Sequence, residues 1–310
     1  MISKSASDKS KYTESLAFTN SARTGWELII NSIISRYGKS NILLPSYIGI
    51  TDREGSGIFD PVQNTKSDFD FYLLNDDLSI NYEDLESQVK SNKFNILLIV
   101  HYFGICRNDL ECIKSLCAKY ELVLVEDCAH AFQLGSKKET LGINGDFSFY
   151  SVHKYFPVES GGIVKNISRK IDLIEATESQ KMNSDVALQI LKSDREQIAK
   201  KRKSNFKLYN ELLRDCEGIT NMYNLMQSEI PQSYPILVKN NQREHLYFYL
   251  MNKGLPTVAL YYRLIDELKS DKYLMSLGVS KNILNLPVHQ DIDGDDILTL
   301  TDEIKLFFAK

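Results

Sequence analysis

Two apolar runs, Ile96-Leu-Leu-Ile-Val100 and Leu122-Val-Leu-Val125, decide the fold of this 310-residue chain. Each run has the length of a strand and neither alternates between apolar and polar residues, so both faces of each strand should be buried. A helical pattern from Leu110 to Cys117 separates the two runs. Fully apolar strands that alternate with helices are typical of a parallel sheet covered on both faces. We therefore predict an α/β fold with a mostly parallel central sheet.

The alternation continues on both sides of these runs. Upstream, we predict a helix that follows Asn20-Ser21-Ala22, a strand at 41–45 and a helix at 84–90. After Val164 the pattern changes to a charged, helix-like region at 168–215. Beyond it we predict strands at 234–238 and 257–260, a helix at 244–253 and a final helix after Asp293. This order predicts a large domain at 1–195 and a smaller C-terminal α+β domain at 196–310.

Composition narrows the function classes. The net charge of −4 and the pI near 5.8 disfavour a nucleic-acid partner, which would select for a basic surface. The polar N-terminus contains no apolar segment typical of a signal peptide, and no apolar run has the length of a membrane span. The cysteines are odd in number and irregularly spaced, which favours free thiols in a reducing compartment. We expect a cytoplasmic protein without a nucleic-acid or membrane partner.

Polar residues follow the two decisive runs. His101 comes after the first, and Glu126 and Asp127 come after the second. Ligands of parallel α/β sheets bind outside the carboxyl ends of the strands, so these residues are candidates for a site. The alternative is that polar residues simply mark the strand ends.

Dinucleotide-binding and phosphate-loop motifs are missing from the sequence. The histidines lack metal-ligand spacing, so we predict no metal site.

The segment from Asp127 to Gly162 has the composition that a pyridoxal 5′-phosphate enzyme needs. Such an enzyme requires a lysine for the Schiff base and a carboxylate beside the pyridine nitrogen. It also requires donors for the phosphate, for which the amides at a helix N-terminus are suited. Asp127 and Lys154 follow different strands and can meet at the sheet edge. Gly161-Gly162 lets the chain bend back close to the lysine.

The chain resembles the DegT/DnrJ/StrS family of sugar aminotransferases, which are fold-type-I pyridoxal phosphate enzymes. The matching motifs occur in family order over about residues 20 to 290: Pro45-Ser46-Tyr47, Val100-His-Tyr-Phe-Gly104, Glu126-Asp127-Cys-Ala-His130, Gly145-Asp146, Lys154 with Gly161-Gly162, and Leu284-Asn-Leu-Pro-Val-His289. Some members carry histidine in place of the lysine and perform dehydration. The spacing to Gly161 puts Lys154, and not His153, at that position.

The resemblance implies a role for each matching residue. Lys154 would be the Schiff-base lysine and proton shuttle, Asp127 would hold the pyridinium nitrogen and His130 would lie near the 3-hydroxyl. The other residues would surround the phosphate or the ring: Ser21, Ala22 and Arg23 at a helix N-terminus, Ser151 through its hydroxyl, and Tyr47 stacked on the ring. Core packing is the alternative for Tyr47 and His130. Arg263, Tyr261 and Tyr262 are further candidates for a substrate contact.

Two departures from the family stand out. The turn before Lys154 is two residues shorter than the common pattern, and the Gly-x-Asn-x-Arg loop that reaches the partner subunit has only a poor counterpart at 178–183. In addition, Ile48-Gly49 stands where the family has a Thr-aromatic pair.

The resemblance implies a homodimer that transfers an amino group from glutamate or glutamine to a nucleotide-linked keto sugar. Alternatives are decarboxylation or elimination with the same cofactor, or a non-catalytic sugar-binding or regulatory relative.

Overall fold

A computed structural model describes residues 15–91, 93–133 and 139–309. Two sheets organise these residues. The strands are β1 (Ser15–Thr19), β2 (Asn41–Pro45), β3 (Asp68–Tyr72), β4 (Ile96–Val100), β5 (Val123–Cys128), β6 (Phe147–Ser151), β7 (Gly162–Asn166), β8 (Ile219–Asn221), β9 (Ser233–Val238) and β10 (Ile283–Pro287). The α-helices are α1 (Ala22–Tyr37), α2 (Phe59–Asn64), α3 (Tyr82–Val89), α4 (Leu110–Lys119), α5 (Ser184–Lys192), α6 (Arg195–Leu212), α7 (Arg243–Asn252), α8 (Leu274–Asn282) and α9 (Gly294–Phe308).

The larger sheet has the order β1-β7-β6-β5-β4-β2-β3. The five strands from β6 to β3 are parallel, whereas β7 and β1 add an antiparallel edge. Every residue of β4 and β5 is buried, as expected for strands covered on both faces. The mostly parallel α/β sheet is therefore confirmed, and the carboxyl ends of its parallel strands meet at one edge.

The second sheet is antiparallel, in the order β10-β9-β8. One continuous hydrophobic core contains residues from both sheets and from α6 and α9. All strands of the larger sheet precede residue 167 and all strands of the smaller one follow residue 218. The domain boundary at 195/196 stays a prediction, and α6 begins beside it at Arg195.

Three details differ from the sequence prediction. The predicted strand at 257–260 is absent from this part of the described chain, where Val258 forms only an isolated bridge with Asn285. The region 168–183 contains one short 3-10 turn, Glu178–Gln180, and helices begin only at Ser184. Strand β5 extends through Asp127 to Cys128 because both side chains are buried, so Glu126 and Asp127 lie within the strand and not after it.

The final helix begins after Asp293, as predicted. Asp293 caps α9 by accepting hydrogen bonds from the amides of Asp295 and Asp296. No helix of the described residues combines the length and the apolarity needed to span a membrane.

Candidate active site

A cavity of about 640 Å³ lies at the carboxyl ends of the parallel strands. This volume is in the usual range for a site that binds a small molecule. Its walls come from the large sheet, from the N-terminus of α1, from loop 48–58 and from two C-terminal segments, residues 243–248 and 257–262. Residues 257–262 are called the C-terminal strap below. Six residues nominated from the sequence line this cavity: Ser21, Ala22, Arg23, Asp127, Ser151 and Lys154.

Asp127 stands near the end of β5 with only 4% of its surface exposed. Its Oδ1 accepts a hydrogen bond of 2.7 Å from the amide of Ala129, which fixes the carboxylate in the cavity wall. Burial raises the pKa of Asp127 to about 6, while the Ala129 amide, Lys154 and His101 oppose that rise. Asp127 is therefore ionised at neutral pH and can face a cationic group of a ligand.

Lys154 ends the short 3-10 turn Val152–Lys154 that follows β6. Burial lowers the pKa of Lys154 to about 8, and the charges of Asp127 and Glu54 oppose this change. The carbonyl of Lys154 accepts a 2.7 Å hydrogen bond from Nη2 of Arg202, which is itself buried. A lysine with this pKa supplies a substantial fraction of neutral amine near pH 8, which is the form that reacts as a nucleophile.

The N-terminus of α1 contributes the cavity residues Ser21, Ala22 and Arg23. Ser21 caps the helix, since its Oγ accepts a 3.1 Å hydrogen bond from the amide of Thr24. The amides of the first helical turn have no acceptor within the helix, so they are suited to bind an anion. Gly162 makes this placement possible because a Cβ there would lie 2.4 Å from the carbonyl carbon and oxygen of Ser21. Only glycine lets β7 and this helix end approach so closely.

Ser151 and His153 flank the lysine turn, and both line the cavity. The Oγ of Ser151 and the Nδ1 of His153 lie 3.2 Å apart, within hydrogen-bond distance. Burial lowers the pKa of His153, with Lys154 adding to the effect and Glu54 opposing it. The Ser151 hydroxyl thus lies in the cavity wall with a neutral imidazole beside it.

Tyr47 and His130 do not belong to the cavity lining. Tyr47 is fully buried and packs edge-on against Tyr102 and Tyr261, with ring centroids at 5.4 and 5.5 Å. Tyr47 is thus packed among aromatic side chains in this structure, and its stacking on a ligand ring stays a prediction. His130 is stacked between Phe103 and Tyr261, at 5.9 and 5.8 Å. Its Nδ1 accepts a hydrogen bond from the amide of Phe103 at 3.3 Å, and its Nε2 lies 3.5 Å from the hydroxyl of Tyr261.

Of the three C-terminal candidates, Tyr261 and Tyr262 line the cavity and Arg263 does not. Arg263 instead forms an ion pair of 2.7 Å with Asp52. The sequence reasoning did not nominate several further lining residues, which include Glu54, His153, Arg243, Glu244, Tyr247 and Phe248. No motif marks them. His153 adjoins Lys154 in the lysine turn, and the others belong to loop 48–58 and to α7.

His101, Glu126 and Cys128 form a buried cluster behind Asp127, with potential metal-ligand atoms within 4.8 Å of one another. Glu126 is already engaged, since it accepts hydrogen bonds from the amides of Gly142, Asn144 and Gly145 and lies 2.8 Å from Nε2 of His101. Burial opposes both charges, but hydrogen bonds with Cys106, Cys128 and Glu126 raise the pKa of His101, and the hydrogen bond with His101 lowers the pKa of Glu126. We interpret the cluster as an ion pair that fixes residues 142–145 and the end of β5.

The stretch 178–183, which is the nearest counterpart of the partner-reaching loop, contacts the chain itself. Its Lys181 forms a bridge with Thr19, and the amide of Asn20 donates to the carbonyl of Gln180 at 2.7 Å. The amide of Met182 donates to the carbonyl of Phe18 at 3.1 Å. This stretch therefore begins beside Asn20, just before α1, and runs antiparallel to the end of β1.

The sequence matches the model of the DegT/DnrJ/EryC1/StrS aminotransferase family over residues 73–185 and 176–305. It is also similar to dTDP-4-amino-4,6-dideoxy-D-glucose transaminase of Shigella dysenteriae, with 23% identity over 67% of this chain. That match spans 65% of the Shigella enzyme, slightly less than two thirds of its length.

Two solved structures share the fold. One is a DegT DnrJ EryC1 StrS aminotransferase from Brucella abortus, with a TM-score of 0.78 and 18% identity over 95% of this chain and 86% of that chain. The other is Spr1654 from Streptococcus pneumoniae, a candidate sugar aminotransferase solved in its PLP form, with a TM-score of 0.77 and 17% identity over 94% and 86%. At these identities the likeness shows the fold, and it confirms the predicted fold class.

Proposed function

Because the chain belongs to the DegT/DnrJ/EryC1/StrS aminotransferase family, we propose that it is a pyridoxal 5′-phosphate-dependent sugar aminotransferase. Its amino donor would be glutamate or glutamine, and its acceptor a keto sugar linked to a nucleotide. The product would enter the synthesis of a surface polysaccharide or another amino sugar. The similar Shigella protein is a transaminase of a dTDP-linked sugar, which supports this class of acceptor.

The observation that carries the proposal is that Asp127, Lys154 and the N-terminus of α1 line one cavity. These groups fit the chemistry of the cofactor. A carboxylate that is ionised at neutral pH suits the pyridinium nitrogen, and a lysine with a pKa of about 8 suits the aldehyde. The helix amides with the Ser151 hydroxyl suit a phosphate. Nε of Arg23, which is buried without a hydrogen-bond partner among the described residues, adds a donor at the same end.

Each residue has a definite task in this proposal. The bound cofactor supplies an electron sink for the bond that breaks at the donor's Cα. Asp127 stays ionised and stabilises the protonated ring nitrogen. Nζ of Lys154 would hold the cofactor covalently and would move the proton at the donor's Cα. The cavity walls limit access of water to these groups.

The remaining expectations complete the proposal. We propose a homodimer in the cytoplasm, where the five cysteines, all free in the structure, would stay reduced. The stretch 178–183 contacts β1 of its own chain. His130, which stacks against Tyr261, would lie near the 3-hydroxyl of the cofactor.

The first experiment traps the attachment. The protein is incubated with pyridoxal 5′-phosphate, reduced with borohydride and digested, and we expect the mass of the adduct on the peptide that contains Lys154. Lys154→Ala should yield no adduct there, whereas Lys200→Ala, which removes an exposed lysine, should label like the wild type. An unlabelled wild type, or a Lys154→Ala protein with full activity, would contradict the proposal. Absence of labelling is also the outcome expected of a non-catalytic relative.

A second experiment separates the reactions that share this cofactor. Addition of glutamate or glutamine without an acceptor should convert the absorbance of the bound cofactor to that of the pyridoxamine form, with release of the keto acid. Release of carbon dioxide or ammonia instead would indicate decarboxylation or elimination. A panel of nucleotide-linked keto sugars, tested with the active donor, then identifies the acceptor.

A further inference from the structure

Tyr261 occupies an unusual place in the cavity wall. Its backbone has φ of +58°, a left-handed conformation that costs free energy for a residue with a side chain. Two contacts hold it there. The carbonyl of Tyr261 accepts a 2.7 Å hydrogen bond from Oγ of Ser280, and the amide of Leu260 donates to Oδ1 of the buried Asn285 at 3.1 Å. These two hydrogen bonds fix the backbone of the strap at Leu260 and Tyr261.

The ring points onto Gly49. A Cβ on Gly49 would lie 1.8 Å from Cδ1 of Tyr261 and 2.7 Å from its Cγ, so no other residue fits beneath this ring. Loop 48–50 is fixed to the residues that follow the strap: the amide of Ile50 donates to the carbonyl of Arg263 at 3.0 Å, and that of Ile265 donates to Ile48 at 3.1 Å. Gly49 and Tyr261 thus form a matched pair, in which the small residue makes room for the large one.

Aromatic side chains surround the Tyr261 ring, and the residue also lines the cavity. Tyr47 and Tyr102 meet it edge-on, at 5.5 Å and 83° and at 6.4 Å and 81°. His130 stacks against it at 5.8 Å. Tyr261 remains only partly buried and lines the same cavity as Asp127 and Lys154. Three aromatic side chains therefore hold the Tyr261 ring rigidly in place beside the reactive groups.

We propose that Tyr261 is the aromatic residue that packs against the ring of a pyridoxal-type cofactor in this cavity, and that Gly49 is required to seat it. The inference rests on the proposed function, since it supposes such a cofactor. It assigns to a C-terminal residue the contact that the sequence had suggested for Tyr47. Aromatic rings in van der Waals contact stabilise one another by an amount that corresponds to about 3- to 10-fold in affinity.

The test uses pyridoxamine 5′-phosphate, which binds without a covalent bond to Lys154, with its affinity measured by equilibrium dialysis. Tyr261→Leu should bind about 3- to 10-fold more weakly than the wild type, and Tyr261→Phe should stay within about twofold because it keeps the ring. Gly49→Ala should also weaken binding, because its Cβ displaces the ring. Tyr37→Leu, which removes an exposed tyrosine at the end of α1, serves as the control and should bind normally.

Unfolding midpoints of all variants separate a structural role from a contact with the ligand. A Tyr261→Leu protein that is less stable but binds the probe within twofold of the wild type would overturn the inference. If Tyr261→Leu does not fold, Tyr261→Met fills the same space with a flexible side chain and is judged by the same criterion. A wild-type protein that binds neither this probe nor pyridoxal 5′-phosphate would overturn the proposed function itself, which is a different outcome.

Discussion

The two walls of the cavity are built in different ways. One wall consists of regular elements, with Asp127 in β5, Lys154 directly after β6 and Ser21 at the start of α1. The other wall is the C-terminal strap, which forms a single bridge at Val258 and carries Tyr261 in a left-handed conformation. The sheet wall bears the ionisable groups, and the strap wall bears aromatic and apolar ones. This division indicates that the sheet supplies reactivity, whereas the strap shapes what can bind.

Loss of a charge from the sheet wall should have the largest effect. Asp127→Asn keeps an oxygen that can accept from the amide of Ala129, so we expect the fold to be retained. It removes the carboxylate charge, and we expect the donor half-reaction to slow by about 10²–10³-fold. The absorbance of the bound cofactor after addition of donor measures this rate. Asp68→Asn, at an exposed position at the start of β3, should react at the wild-type rate. A rate for Asp127→Asn within threefold of wild type would contradict the conclusion that the sheet wall supplies the reactivity.

The contact between the lysine turn and residues 231–232 should be the next most sensitive place. The buried guanidinium of Arg202 lies 4.4 Å from the ring centroid of Tyr155 and donates to the carbonyls of Lys154, Pro231 and Gln232. Lysine cannot reproduce this fork of donors. We expect Arg202→Lys to lower the free energy of unfolding by about 2–4 kcal/mol, measured by urea denaturation.

A matched control for Arg202 lies on the same helix. Lys200→Ala removes an exposed cation from α6 and should change the free energy of unfolding by less than about 0.5 kcal/mol. Equal effects from the two substitutions would show that Arg202 acts as an ordinary helix cation and does not join the lysine turn to the C-terminal residues.

The close approach of β7 to α1 gives a third way to test the sheet wall. In Gly162→Ala the new Cβ would lie 2.4 Å from the backbone of Ser21, so the helix end must move. We expect a loss of about 1–3 kcal/mol in stability, together with weaker binding of pyridoxamine 5′-phosphate but not of pyridoxamine. The comparison of the two ligands isolates the phosphate end of the cavity.

Gly278→Ala is the control for Gly162→Ala, and we expect it to raise the stability of the protein. Gly278 lies inside α8 with no atom within 4 Å of a Cβ placed there, so alanine should stabilise the helix by up to about 1 kcal/mol. A Gly162→Ala protein that loses affinity equally for both ligands would indicate a general disturbance of the cavity, and the assignment of the α1 amides to the phosphate would fail.

The contrast between the walls also explains what the sequence could predict. Asp127 lies near the carboxyl end of β5 and Lys154 follows β6, and the topology of a parallel sheet brings such positions together without knowledge of any side-chain contact. The contact between Gly49 and Tyr261 joins residues that are distant in the chain, and it depends on a left-handed backbone at Tyr261 that no local pattern signals. The packing of Tyr47 against Tyr261 likewise joins residues that are distant in the chain, and no local pattern signals it.

The smallest effect that we predict concerns the protonation of Lys154. Only the neutral amine attacks an aldehyde, and burial lowers the pKa of Lys154 to about 8. The rate of attachment of pyridoxal 5′-phosphate should therefore rise with pH through about 8 and level off above it, with a gain of about tenfold between pH 7 and pH 9. Because the charge of Asp127 holds the pKa of Lys154 up, Asp127→Asn should move the midpoint to lower pH, whereas Asp68→Asn should leave it in place. Stopped-flow absorbance measures these rates. A wild-type midpoint near 10 would show that Lys154 behaves as a lysine in water, and the reactivity assigned to the sheet wall would then need another source.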